Sequence, residues 1–388
     1  MAKLTGIRAG ELTAVNFLSD GIQWTGPWGR VLSDMNKMDA MPETALAPES
    51  LHQFAARADA PEFWPVGLQR WLAMPGLAGG VVALLFFGAV WLAAGVGLRV
   101  WTLPTNVVGE ALFFALSLGL LMELAALIPR SAQGDLDALA SELTLDDALH
   151  ARLRAALLRY PAGDMAINAG VGALFGVAHV ALTAPGWWAL PGDPVAAVLA
   201  MGTIALWAMM AQTGSLLVAN AQLFARLGRH AVRVEVFAPD RLRPFATAAL
   251  RPMLLIMLLL AAYPLMLLGS EGLEVTSAIG PVATALLALA AVWVPLRGVS
   301  ARIREARALR LAQIDAAIAA AVQTADRHGA PADPPRLEAL LALRARAKAA
   351  PSLPIGLGGL GRGLVYLALP VATWGGKGFA EALLNRLF

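Results

Sequence analysis

Six long apolar runs alternate with polar stretches along this chain, near residues 74–98, 106–128, 163–185, 194–218, 252–270 and 277–297. Each is long enough for a membrane-spanning helix, which needs about 20 predominantly apolar residues. The polar stretches between them alternate in charge. The stretch between the first and second runs carries only Arg99, and the next carries Arg130, Arg152, Arg154 and Arg159. The third, A-P-G-W-W-A-L-P-G-D-P, carries no Lys or Arg. The fourth carries Arg226, Arg229, Arg233, Arg241, Arg243 and Arg251. The fifth, S-E-G-L-E-V-T, again has none, and Arg297, Arg302, Arg304, Arg307 and Arg310 follow the sixth run. Positive loops stay cytoplasmic. The pattern therefore predicts an all-α, polytopic membrane protein with six transmembrane helices in three hairpins and both termini inside. Trp101, Trp187 and Trp188 fall where an outer aromatic belt belongs, and Trp71 where an inner one does.

Outside these runs the pattern changes period. Residues 1–73 are mostly polar and read as a cytoplasmic segment, with Trp24, Trp28 and Trp64 among prolines, glycines and acids. Within it, 50–60 predicts a short amphipathic helix, and Trp64, Leu68 and Trp71 an interfacial approach to the bilayer. With this polar segment in front, the first apolar run is expected to be a retained anchor rather than a cleaved leader. The six-helix domain then occupies 74–298.

Beyond it, Leu311, Ile314, Ile318 and Val322 recur at three- and four-residue spacing, predicting one helix over 299–327. It would extend on the order of 40 Å at 1.5 Å per residue. G-A-P-A-D-P-P ends it, and Leu337, Leu340, Leu341 and Ala345 mark a return helix over 336–349. Residues 299–350 are thus expected to form a cytoplasmic helical hairpin. Residues 351–388 begin with a glycine-rich hinge and continue in L-V-Y-L-A-L-P-V-A-T-W-G-G at 364–376. Thirteen apolar residues interrupted by Pro370 are short for a span, so a re-entrant or interfacial helix is expected. A seventh span would instead place the C-terminus outside.

Composition agrees with this reading: 58% of the 388 residues are hydrophobic and only 15% charged, against about 25% charged in soluble domains. Arginine outnumbers lysine 26 to 4. Because the arginines lie in particular loops, they read as a topology signal rather than a nucleic-acid footprint, and those at 226–251 read as topology or anionic-headgroup residues. The chain has no cysteine, which excludes disulfides, thiolate catalysis and cysteine-held metal. No metal or cofactor site is expected. G-L-G-G-L-G at 356–361 matches a dinucleotide-binding pattern only on paper, since no strand precedes it.

Two stretches carry a family resemblance. V-E-V-F-A-P-D-R-L-R-P-F-A-T-A-A-L-R at 234–251 and the apolar segment at 364–376 resemble a group of uncharacterised polytopic inner-membrane proteins of bacteria. The matching positions are Pro244, Phe245, Leu250, Arg251, Tyr366, Pro370 and Trp374. Ala249 stands where the group has Gly, and Thr247 where it often has Arg. The resemblance covers the chain from about residue 163, implies a bacterial inner-membrane location and adds no mechanism.

Polar groups at membrane depth are costly and therefore informative. Counted from the loop arginines, Glu123, Asn168 and Gln212 lie at similar depth and form a candidate inner polar layer; Glu110 and His179 match nearer the outer face. Gly172 and Gly176 form a small-xxx-small pair on the Asn168 face. These groups read either as a proton or solute path or as ordinary interhelical glue. The expected function is a non-enzymatic membrane scaffold or assembly protein whose partners are the bilayer and a cytoplasmic protein held through 299–349. Two alternatives stand beside it: a transporter or channel, and a membrane-embedded lipid-modifying enzyme.

Overall fold

The computed structural model describes residues 47–72, 76–97, 99, 101–183, 192–267, 275–328 and 334–351, together with 361, 363–366 and 368. Expectations placed on the first 46 residues, on Trp187 and Trp188, on the glycine-rich hinge and on most of 364–376 lie outside the described residues. Among the described residues the chain is helical and has no strand, only isolated bridges pairing Glu62 with Arg159 and Leu143 with Val232. The helices are α1 (Ala47–Ala55), α2 (Trp64–Leu72), α3 (Leu77–Leu92), α4 (Thr105–Ala138), α5 (Asp147–Ala156), α6 (Ala162–Thr183), α7 (Pro194–His230), α8 (Arg243–Ala262), α9 (Val275–His328) and α10 (Pro334–Ala349).

Five stretches are long and apolar enough to cross a membrane: Leu77–Gly97, Thr105–Ala138, Ala162–Thr183, Pro194–His230 and Asp240–Met266. They contain α3, α4, α6, α7 and α8, five of the six expected runs. The sixth run forms the first part of α9. Two spans are longer than their apolar runs. α4 continues past Arg130 to Ala138 and α7 past Arg226 and Arg229 to His230, so charged residues expected in loops sit on helix. Local chemistry sets several ends. Asp193 starts α7 by accepting N–H bonds from Val195 and Ala196 at 3.0 and 3.1 Å, with Pro194 in the first turn. Asp146 caps α5 by accepting from Leu149 N–H at 2.9 Å.

Glycine decides how closely two helix pairs approach. A Cβ on Gly172 would lie 2.5 Å from Trp207 O, and one on Gly176 would lie 2.6 Å from Ile204 Cα. α6 therefore meets the backbone of α7 along the small-residue face. α3 crosses α4 in the same way at Gly79 and Gly119.

The largest core lies at the arginine-rich end. Phe54, Phe63, Leu136, Leu153, Leu223, Phe224, Phe245 and Val299 are all buried in one cluster drawn from α1, α2, α4, α5, α7, α8 and α9. The segments between spans are thus a folded layer, tied by Thr144 N–H to Ala231 O and Arg233 N–H to Glu142 O, both 2.7 Å.

α9 runs unbroken from this layer to His328, and α10 packs back along it. Ile314 and Ala347 are buried and Leu311, Ile318, Leu337 and Leu340 half-buried, while Val322, Leu341 and Ala345 are exposed. The seam is therefore narrower than the spacing predicts. Arg344 pairs with Asp315 at 2.6 Å, and Arg307 donates to the carbonyls of Lys348 and Ala350. Phe237 receives Arg310 and Arg346, whose guanidinium carbons lie 5.9 and 5.6 Å from its ring centre. The base of the hairpin is thereby fixed to the folded layer.

Candidate functional site

Three of the candidate polar groups, Glu123, Asn168 and Gln212, fall in two clusters toward the arginine-rich ends of the apolar helices, and both clusters involve α2. The first is built on α4. Glu123 receives Gln69 Nε2 at 2.6 Å, Gly79 N–H at 2.6 Å and Gly76 N–H at 3.0 Å. Gly76 is left-handed (φ 82°), the conformation glycine adopts without strain, and it precedes the first residue of α3. The carboxylate of one long apolar helix thus caps the N-terminus of another, where free N–H groups and the helix dipole favour negative charge. Buried Gln69 relays the contact, because its Oε1 accepts from Arg130 Nη1 at 2.9 Å. Arg130 also donates to Val66 O at 3.1 Å.

The second group is built on α6 and α7. Gln212 accepts from Trp64 Nε1 and donates to Met165 O, both at 3.1 Å. Asn168 is buried and its Nδ2 lies 3.4 Å from the Tyr160 hydroxyl. Tyr160 packs edge-on against Phe63, and the Arg57 guanidinium lies 5.3 Å from its ring centre. Burial pushes the Tyr160 phenol above its ordinary value, opposed by the Arg57 charge.

Among the described residues no hydrogen bond joins Glu123 to Asn168 or Gln212. The same holds for Glu110 and His179. Glu110 is half-buried in the first turns of α4, whereas His179 is exposed on α6 with its ring 6.0 Å from Trp207. Matched depth does not guarantee contact, because depth leaves the direction around each helix axis open.

Four of the six arginines read as topology or lipid-headgroup residues are engaged by protein. Arg226 donates to Ser50 O at 3.3 Å, Arg243 pairs with Asp240 at 3.0 Å, and Arg241 reaches Glu142 at 3.3 Å and Glu235 at 3.4 Å. Arg251 pairs with buried Asp135, which also accepts from Thr247 Oγ1 at 2.9 Å. Exposed Arg233 helps line an open polar cleft of about 660 Å³ with Ser141, Glu142, Glu235 and Arg241. Arg229 is half-buried near the end of α7. The partners Gln69, Tyr160, Trp64 and Asp135 were absent from the expected polar site. The one sequence hint was the Pro75-Gly76 pair at the start of an apolar run, which marks a helix N-terminus in need of acceptors.

Chemically, Glu123 is held by N–H groups and Asp135 by a guanidinium and a hydroxyl, while the buried Asn168 Oδ1 has no partner among the described residues. No three His, Asp or Glu side chains converge as metal ligands among the described residues. No family model, curated protein or solved structure matches the chain.

Proposed function

We propose that this chain is a six-span inner-membrane scaffold with both termini in the cytoplasm, whose α9–α10 hairpin docks a cytoplasmic protein. The observation that carries the reading is α9 itself. It runs from the sixth apolar stretch to His328 as one helix, so a hairpin on it is rigidly coupled to the membrane domain. Residues 299–350 hold nine Arg and Lys against five Asp and Glu, and Leu309 and Leu341 are 59% and 50% exposed. A partner suited to this arm presents acidic and apolar groups together. Transport is the weaker reading, because Glu123 is committed to α3 and Gln212 to Trp64 and Met165.

The test is purification in mild detergent with mass spectrometry, comparing the full chain with one in which 311–343 is replaced by a short flexible linker. This cut spares Val299 and Ile303, which belong to the core. A stoichiometric protein lost with the hairpin supports the reading. A chain that purifies without any protein partner overturns it.

A further inference from the structure

Asn220 lies on α7 and is 6% exposed, yet both its Oδ1 and Nδ2 are without a protein partner. A buried primary amide left unpaired is rare and calls for an account. Two features lie beside it. Asn220 lines a small, partly open cavity with Ile128, Ala132, Ala248, Arg251 and Pro252, and about 10 Å³ of it is open to the centre of a water-sized sphere. That is close to the minimum needed to hold one water. Pro252 stands inside α8 and has no N–H, so the Ala248 carbonyl lacks its donor four residues on. An unpaired amide, and a residue whose carbonyl has no N–H donor four positions on, therefore border one cavity of single-molecule size.

We propose that this cavity is a binding site for one ordered water molecule, which bridges the Asn220 side chain to the Ala248 carbonyl. The water receives a bond from Asn220 Nδ2 or gives one to Oδ1, and gives another to Ala248 O. Buried waters typically make about three such bonds. Ile128, Ala132, Leu217, Ala221 and Phe224 make the apolar part of the wall, and the Arg251 guanidinium beside them is paired with Asp135. The site would join α7 to α8 next to the Asp135–Arg251 pair, and it is a way to tolerate proline in a membrane helix. An apolar ligand fits poorly, since it would leave the Asn220 amide unpaired.

The sign of one substitution separates a wet cavity from a dry one. If water bridges the two groups, Asn220→Leu expels it and strands the Ala248 carbonyl, so the melting temperature in detergent falls by about 2–4 °C. If the cavity is dry, Asn220→Leu removes two unpaired polar atoms and fills space, so the melting temperature rises. Pro252→Ala gives the Ala248 carbonyl its own N–H, and in that background the fall caused by Asn220→Leu should shrink to less than half. Equal effects in the two backgrounds would overturn the proposal, as would a rise in either. Should Asn220→Leu fail to fold, an experimental map of the unaltered protein at about 2.5 Å or better decides: density within hydrogen-bonding distance of both groups supports the water, and a featureless cavity refutes it.

Discussion

Adjacent glycines on α3 should respond to alanine in opposite directions. At Gly79 a Cβ would lie 2.4 Å from the Gly119 carbonyl oxygen and 2.6 Å from Glu123 Cγ. The first obstacle is backbone and cannot rotate away, so α3 and α4 would have to part by about 1 Å to reach ordinary contact. Overpacking of that kind costs about 1–3 kcal/mol. The same movement stretches the 2.6 Å bond from Gly79 N–H to Glu123 beyond hydrogen-bonding range, and a bond to a charged acceptor contributes about 1.5–3 kcal/mol. Glu123 is only half-buried, so the lower end applies and the total is roughly 2.5–4.5 kcal/mol. At Gly80 nothing lies within 4 Å, and replacing a helix-interior glycine should gain about 0.5–1 kcal/mol. Denaturant-titrated unfolding in mild micelles, followed by tryptophan fluorescence, measures both. If Gly79→Ala proves as stable as Gly80→Ala, the close crossing and the Glu123 cap are wrong together.

Other predictions follow from the same contacts. Arg251→Met strands buried Asp135 and should destabilise by about 2–4 kcal/mol, while adding Asp135→Leu should recover most of the loss; unfolding of the four proteins in a double-mutant cycle measures the coupling. Phe237→Ala removes the platform under Arg310 and Arg346, worth about 0.5–1 kcal/mol for each exposed cation–π contact, and should speed limited trypsin cleavage within α10. Burial raises the Tyr160 phenol, so its contribution to stability is full below the unfolded value of about 10 and is lost as pH climbs through the raised folded value. Tyr160→Phe should therefore flatten the alkaline limb of a stability-against-pH profile.

Five of the six expected runs are helices long and apolar enough to cross a membrane, and they were legible because hydrocarbon thickness demands a minimum apolar length. Helix ends were less so. α4 continues eight residues past Arg130 and α7 four past Arg226 because Leu136, Leu223 and Leu227 bury into a shared core, and tertiary packing overrides a charged composition. The arginine count gave a topology signal, but no count reveals that Arg251 meets Asp135, 116 residues away. The polar site was legible only as a set of depths. Direction around each helix axis, which a depth leaves open, comes from packing at glycine pairs such as Gly79 with Gly119.

Residue-specific photo-crosslinking in intact cells would test the scaffold reading at the surface that carries it. A photoreactive amino acid at Leu309 or Leu341, both exposed on the hairpin, should each trap the same cytoplasmic protein, and one at exposed Leu84 on α3 should not. Crosslinks only to lipid, or the same products from all three positions, would contradict the account.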